Sequence, residues 1–145
     1  MKRFHLIAMA LVFLGLTMTS CSDKPVLPTQ LPPDIQAFVK QHFPTQNIAF
    51  ANKDLTITGW EYDVVLADGT QIDFDTSHQW DQIDCKLAAV PATLVPAPIA
   101  TSVQANFQGV PIVKIDKTWN GYEVELANDI ELHFNEAGTL TQLDD

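Results

Sequence analysis

The chain is poor in the residues that form covalent cross-links or bind nucleic acids. Its 145 residues include two cysteines and six glycines, and eight basic residues face 18 acids for a net charge of −10. An acidic surface of this kind repels nucleic-acid phosphates and anionic lipid headgroups. The composition therefore excludes nucleic-acid binding, and a domain of this length does not need disulfides to fold.

Long apolar runs are also scarce. Only residues 4–18 form one, and that run is short for a helix that crosses a bilayer. A membrane protein with several spans is therefore excluded. Hydrophobic residues make up 46% of the chain, which is too many for a disordered acidic tail.

Residues 1–20 have the pattern of an export signal, with a basic start, the apolar run and small residues before Cys21. Residues 16–21 resemble a bacterial lipobox, with Met18 at a position where Leu is usual. This resemblance implies cleavage before Cys21, lipidation of Cys21, and an exported protein anchored in the bacterial cell envelope, on the periplasmic or surface side of the outer membrane. A soluble secreted protein is the alternative. Without the leader, six lysines face 18 acids and the net charge is −12.

The segment after the leader predicts a flexible attachment. Residues 21–33 comprise the lipid-anchor Cys21 and a stretch with four prolines and few apolar residues, which favours an extended tether. If Cys21 carries lipid, Cys85 has no partner for an intramolecular disulfide. A lone cysteine at a strand end is most often a small apolar residue, and a reactive thiol is the alternative.

The rest of the chain repeats itself. Ile35, Val39 and Phe43 recur as three apolar residues at an offset of 64, and the stretch 62–74 recurs at an offset of 60. The second copy has therefore lost four residues near 55–59. The predicted domain limits are 34–85 for the first repeat, 86–94 for a connector and 95–145 for the second repeat.

Each repeat predicts one helix and four strands. Apolar residues at i, i+4 and i+8 after a proline indicate a short amphipathic helix. Tyr62, Val64 and Leu66 alternate with Glu61 and Asp63, which is typical of a strand with one covered face and one wet face. We therefore expect an α+β fold of two tandem α-β-β-β-β repeats, with an antiparallel sheet whose helices pack on one face and leave the other open.

This arrangement resembles the PepSY-like family of exported bacterial lipoproteins, also described as β-lactamase-inhibitor-like. The resemblance rests on residues 31–44 (Leu-Pro-Pro-x-Ile-x-x-Phe-Val-x-x-His-Phe-Pro), on the strand pair at 62–69, and on Trp80 downstream of Ile-x-Phe-Asp. It implies a tandem repeat whose open sheet face docks a protein partner, with a peptidase or hydrolase as the suggested target.

Two turns depart from a simple repetition. His78 stands where the second repeat has Gly138, so we expect a non-glycine residue with positive φ at this hairpin. Asn128-Asp129 replaces Asp68-Gly69, so we expect the second turn to be less tight.

The sequence shows no catalytic or cofactor-binding motif. It lacks Gly-x-Ser-x-Gly and Ser-x-x-Lys, and its histidines do not have the spacing of a zinc site. Asp73-x-Asp75-x-Ser77 matches the start of a calcium loop, but the glycine that should follow is His78, and strand alternation explains both acids. We therefore predict a protein that is not an enzyme and that has no cofactor or resident metal.

The polar sheet face is the candidate site. Its predicted residues are the acids and histidine of the two wet strand pairs, together with two tryptophans near the rim: Glu61, Asp63, Asp73, Asp75, Trp80, Trp119, Glu123, Glu125, Glu131 and His133. We expect this face to dock a basic protein partner, with the tryptophans as anchors. A solvated face kept acidic for solubility, and a sensor for a small ligand or cation, are the alternatives.

Overall fold

A computed structural model describes residues 23–144, so the predicted signal peptide and the lipidation of Cys21 lie outside the described part of the chain. The two α-helices and nine β-strands, in chain order, are β1 (Lys24–Pro25), α1 (Pro33–His42), β2 (Ile48–Leu55), β3 (Trp60–Leu66), β4 (Gln71–Phe74), β5 (Trp80–Asp84), α2 (Ala97–Asn106), β6 (Ile112–Thr118), β7 (Gly121–Leu126), β8 (Glu131–Asn135) and β9 (Leu140–Asp144). Short 3₁₀ helices at Pro28–Gln30 and Ala92–Leu94 precede the two α-helices.

All nine strands form one open antiparallel sheet in which every strand pairs with its sequence neighbours. α1 is followed by β2–β5 and α2 by β6–β9. The two halves join through β5 and β6, where Ile83 lies opposite Ile115. The expected α+β class and the continuous antiparallel sheet are therefore confirmed.

Both helices begin with proline in the first turn, where the missing N–H costs little. Each ends at a phenylalanine whose N–H bonds to the carbonyl four residues earlier, at 2.8 Å for Phe43 and 2.7 Å for Phe107. The predicted apolar stripe is the buried one, since Ile35 and Ile99 have no exposed surface. The helices therefore contribute their apolar stripes to the same core as the sheet.

The core follows one row of residues across the sheet. Cross-strand pairing connects eight apolar residues in order: Ala51, Val64, Ile72, Ile83, Ile115, Val124, Leu132 and Leu143. All of them except Leu143 are buried, while Tyr62 and Tyr122 pack partly buried against the same core. Asp63, one position from Val64, is exposed, so the alternation predicted from the sequence has the expected sides.

Most of the proline-rich segment, which was predicted to be a tether over residues 21–33, packs against the domain. β1 pairs with β2, and Val26 donates its N–H to Ala51 O at 2.9 Å. Val26 and Leu31 are buried in the core because this segment covers an edge of the first half. Residues 24–33 are thus part of the fold.

Of the two expectations for the hairpin turns, the positive φ of His78 is confirmed and the looser turn at Asn128-Asp129 is wrong. His78 has φ 60°, as predicted, and its Nδ1 lies 2.8 Å from Asp34 Oδ2 in the first turn of α1. The Asn128-Asp129 turn is as tight as its counterpart, because the Asp129 N–H bonds to Leu126 O at 3.0 Å as Gly69 does to Leu66 O. Asp129 adopts φ 65° to make this bond, so the expectation of a looser turn was wrong.

Within residues 23–144, no helix has the length and apolar content to cross a bilayer.

Candidate functional site: the open acidic face

The sheet face opposite the helices has one continuous polar row. Cross-strand pairing connects eight residues, which we call the central row: Asn52, Asp63, Asp73, Gln82, Asp116, Glu123, His133 and Gln142. Each member is next in sequence to a residue of the apolar row. Because successive side chains of a strand point to opposite faces, burial of the apolar row places these polar residues on the open face. Four of the predicted site residues, Asp63, Asp73, Glu123 and His133, lie in this row.

In the first half of the row, carboxylates face each other. Asp63 lies directly opposite Asp73. Partial burial, with Asp63, Asp81 and Asp116 nearby, raises the pKa of Asp73 to about 6. Burial and the neighbouring acids Asp23, Asp54 and Asp81 also raise the pKa of Asp63. Like charges opposite each other on a sheet are destabilising, so this part of the face favours a bound cation or a proton.

A β-bulge adds another carboxylate to the same place. The pairing of β4 with β5 shifts between Asp73 and Phe74, so Asp81 has no strand partner of its own. Asp81 Oδ1 and Asp116 Oδ1 are both inaccessible to solvent and have no hydrogen-bond partner within the described residues. Buried polar atoms are normally hydrogen-bonded. These two oxygens therefore leave unused acceptor capacity beside Asp73.

The acids surround a shallow depression at the middle of the sheet. It has a volume of about 320 Å³. Its lining comprises Glu61, Asp63, Asp73, Phe74, Asp81, Gln82, Asp116, Lys117 and Glu123. Lys117 is the one cation among these residues; its Nζ donates to Trp80 O at 2.7 Å, and burial lowers its pKa.

In the second half of the row, an imidazole takes the place of a carboxylate. His133 Nδ1 lies 3.5 Å from Glu123 Oε1, and its Nε2 lies 3.1 Å from both Glu131 Oε1 and Asp144 Oδ2. Ligand atoms of Glu123, Glu131 and His133 lie within 4.8 Å of one another, close enough to hold a metal ion. His133 lies within ion-pair distance of both glutamates and hydrogen-bonds to Asp144, and these contacts account for the cluster without an ion.

Glu125 and Glu131 lie in a second row on the same face. That row runs Phe50, Val65, Gln71, Asp84, Lys114, Glu125, Glu131 and Asp144. Lys114 lies between Asp84 and Glu125 and binds Asp116 Oδ2 at 2.9 Å. Burial alone would lower the pKa of Lys114, but its acidic neighbours outweigh burial and raise it. The lysine thus neutralises part of the second row.

The two remaining predicted acids, Glu61 and Asp75, lie outside these two rows. Glu61 lies opposite Asp54 toward the β2–β3 end of the sheet. Asp75 Oδ1 accepts the N–H groups of Ser77 and Gln79 at 2.7 and 3.0 Å and so caps the β4–β5 turn.

The two tryptophans do not flank the acids together. Trp80 lies opposite Phe74 and packs against the core, with Lys117 Nζ 4.0 Å from its ring centroid. Trp119 is 91% exposed in the β6–β7 turn. The aromatic-anchor hypothesis therefore depends on Trp119 alone.

The sequence analysis did not name Asp81, Gln82 or Asp116, which are three of the polar residues that line the depression. Asp116 had a signal, because Lys114 and Asp116 alternate with Val113 and Ile115 and so fall on the wet side. Asp81 had none, because only the bulge brings it beside Asp73.

The isolated cysteine behaves as a structural residue. Cys85 is buried, and burial raises the pKa of its thiol. A protonated, inaccessible thiol is a poor nucleophile. The interpretation of Cys85 as a small apolar residue is therefore the one that the structure supports.

Comparison with solved structures gives close matches to Bacteroides proteins. A periplasmic protein of the DUF2874 family from Bacteroides vulgatus is 32% identical, with a TM-score of 0.81 over 87% of this chain and 99% of that one. A second B. vulgatus periplasmic protein, of unknown function, is 32% identical (TM-score 0.79; 85% and 99% covered). A Bacteroides thetaiotaomicron protein described as a "putative calcium-regulated periplasmic protein" is 34% identical (TM-score 0.79; 85% and 97% covered).

These neighbours support export of the present chain. No curated protein matches the chain. A family model described as "putative beta-lactamase-inhibitor-like, PepSY-like" matches residues 17–58 and 60–142. The match covers most of the chain in two regions, which is consistent with a tandem repeat. The chain therefore belongs to the PepSY-like family.

Proposed function

We propose that this protein is a non-enzymatic binding module of the cell envelope, anchored by lipid at Cys21, whose open acidic face docks a basic protein partner. The partner we favour is a peptidase or hydrolase, following the inhibitor-like description of the family. The two halves are copies of one unit that together provide a face broad enough to occlude a partner. The mechanism is charge-steered encounter followed by occlusion.

The observation that carries this proposal is the central row. A nine-stranded sheet holds Asp63, Asp73, Asp116 and Glu123 in one row, and the pKa of Asp73 is raised because the group is partly buried and its neighbours are acids. A basic partner would relieve this repulsion on binding, so binding energy is stored in the unbound face. Positive side chains would also be attracted from a distance, since the net charge is −10.

Photo-crosslinking in intact cells tests the docking face. A crosslinking amino acid at Gln82, at the centre of the row, is compared with the same residue at Gln104, which is exposed on α2. We expect one discrete adduct from Gln82 that Gln104 does not give, and we expect Asp63→Lys with Glu123→Lys to abolish it. Equal adducts from both positions, or an adduct that survives the double reversal, would contradict docking by charge.

A cation-binding function is the second candidate, and a specific observation favours it. Asp81 Oδ1 and Asp116 Oδ1 are buried beside Asp73 and accept no hydrogen bond from residues 23–144, and one structural neighbour is described as calcium-regulated. Calcium binds six to eight oxygen ligands, which carboxylates can supply. In this case the depression would be the sensor and the face around it the output surface.

Titration calorimetry separates the two candidates. Calcium, zinc and spermine are titrated into the wild type, into Asp73→Asn and into Asp129→Asn, where Asp129 is an exposed acid in a distant turn. Saturable calcium heat that is lost in Asp73→Asn and kept in Asp129→Asn would favour the sensor. A face that only docks proteins gives no saturable heat with any of the three.

A further inference from the structure

The hairpin between β2 and β3 exposes large apolar side chains at its tip. Ile57 is fully exposed and Leu55 is 57% exposed. The turn is well ordered by hydrogen bonds, since the Thr56 N–H and the Thr56 hydroxyl both donate to Gly59 O, at 2.8 and 3.0 Å. The ordered turn therefore holds Leu55 and Ile57 in water side by side, as an apolar tip that can contact a surface outside the fold.

The tip of the first half is aliphatic and longer, whereas the equivalent turn of the second half exposes a single tryptophan, Trp119. The β2–β3 turn has four residues between its strands, whereas the β6–β7 turn has only Trp119 and Asn120. The four extra residues near 55–59 add one residue to each strand and two to the turn, so the first hairpin protrudes at least about 3 Å further than its counterpart. The half that carries the extension is also the half next to the N-terminus.

The chain enters the fold beside this tip. Lys24 pairs with Lys53 and Pro25 with Asn52, so β1 read backwards from Lys24 runs toward Leu55 and the turn. Cys21 lies three residues before Lys24, a distance of at most about 10 Å along an extended chain. A lipid on Cys21 would therefore attach within about 10 Å of Lys24, whose strand partner Lys53 lies in the strand that leads to the hairpin tip.

The side chains around the tip suit a bilayer interface. Trp60 lies opposite Leu55, and Lys53 Nζ is 4.5 Å and Lys24 Nζ 5.6 Å from the centroid of the Trp60 ring. Tryptophan concentrates at the headgroup level of membranes, and lysines can extend their charge toward phosphates while their stems lie along apolar surface. The acids of this hairpin, Asp54 and Glu61, pair on the opposite face of the ribbon.

We propose that the tip of the β2–β3 hairpin, Leu55 and Ile57 with Trp60 above them, inserts into the bilayer interface as a second membrane contact beside the lipid anchor. This inference rests on the anchoring of Cys21 in the proposed function. It fixes the orientation of the molecule, since contact at one end of the strands makes the sheet stand upright on the membrane. The open acidic face then remains in water and accessible from the side.

The test measures the depth of the tip in vesicles. The acylated protein, with an environment-sensitive dye on Thr58→Cys, is placed in phosphatidylethanolamine–phosphatidylglycerol vesicles that contain lipids with brominated acyl chains. The control dye site is Ala88→Cys, near the opposite end of the strands, and Cys85 is buried and does not label. We expect bromine quenching at residue 58 to exceed that at residue 88 by at least about threefold.

A matched pair of charge insertions completes the test. Ile57→Asp should reduce quenching at residue 58 to the level of the control site, whereas Leu87→Asp, at a 96% exposed leucine near the opposite end, should change nothing. Circular dichroism checks that each variant folds. Equal quenching at residues 58 and 88, or an unchanged signal in Ile57→Asp, would overturn the membrane contact.

A separate measurement tests whether Cys21 is lipidated, so that failure of the lipid anchor can be distinguished from failure of the hairpin contact. Mass spectrometry of the mature N-terminus shows whether Cys21 carries lipid, and an unmodified N-terminus defeats the proposed anchor. In that case the same dye measurement is made on a Cys21→Ser chain held on nickel-chelating vesicles by an N-terminal histidine tag. Quenching that then depends on Ile57 supports the hairpin contact even without lipidation, and its absence overturns it.

Discussion

The two halves of the sheet occupy equivalent positions with different chemistry. In the first half Asp63 faces Asp73, and in the second Glu123 faces His133 at 3.5 Å. The first arrangement places two carboxylates opposite each other, whereas the second places an imidazole opposite the carboxylate. Among the described residues, buried carboxylate oxygens without a hydrogen bond occur at Asp81 in the first half and at Asp116 at the junction, whereas in the second half His133 lies 3.1 Å from Glu131. The binding capacity of the open face is therefore uneven.

The contact between helix and hairpin differs in the same way. In the first half His78 bonds to Asp34, and the bond, against an opposing effect of burial, holds the pKa of Asp34 below its usual range. In the second half Gly138 lies against Pro98, and a Cβ on that glycine would come within 2.6 Å of Pro98 Cβ. A hydrogen bond thus links α1 to its hairpin, whereas α2 contacts its hairpin through close packing.

The largest expected effect comes from Gly121, which occupies the position that Glu61 has in the first half. A Cβ at Gly121 would lie 1.9 Å from the main-chain oxygen of Phe134, and its φ of 154° is one that side chains rarely adopt. We expect Gly121→Ala to lower the free energy of unfolding by about 3 kcal/mol, measured by urea denaturation. Glu61→Ala, the matched control, should change it by less than about 0.5 kcal/mol.

If Gly121→Ala proved as mild as Glu61→Ala, the close approach of β7 to β8 at Phe134 would be wrong. The difference between the halves at this position would then reflect surface composition and not backbone geometry.

The next effect tests the uneven charge of the face through the pH dependence of stability. Because the pKa of Asp73 rises from 3.8 to about 6 on folding, the folded state holds its proton more tightly than the unfolded state. The contribution of this group to stability is therefore full below pH 4 and is lost as the pH rises through 6. Asp73→Asn keeps the shape without the charge. It should be more stable than wild type by about 1–2 kcal/mol at pH 7, after allowance for solvent screening.

The measurement is urea denaturation of both proteins between pH 4 and pH 7.5. The advantage of Asp73→Asn should shrink as the pH falls to 4, because the folded carboxyl is then protonated and the unfolded one is already partly protonated. Asp73→His, which copies the pairing of the second half, should give an advantage of its own at pH 7 from a carboxylate–imidazole contact. An advantage of Asp73→Asn that is constant with pH would show that Asp63 and Asp73 do not repel each other in the fold.

The sequence allowed the elements, the sides of the strands and half of the central row to be predicted, because burial of one face imposes a period of two on the residues. It did not allow Asp81 to be placed, since a bulge changes the register without a local signal. It also misplaced the segment at Val26, where proline content favoured a tether but edge pairing with β2 decided the structure. In each case a contact between distant residues overrode the local pattern.

The smallest effect concerns the two hairpin turns that were expected to differ in tightness. Gly69 has φ 91° and Asp129 has φ 65°, and both make the same N–H to carbonyl bond at 3.0 Å. Glycine adopts positive φ without steric cost, whereas aspartate is strained there by a modest amount. This difference is partly offset because glycine loses more conformational entropy than aspartate on folding. We expect Asp129→Gly to raise the free energy of unfolding by up to about 0.5 kcal/mol and Gly69→Asp to lower it by a similar amount. Urea denaturation of the two variants measures both signs, and changes of the same sign in both would mean that turn strain is not what distinguishes the halves here.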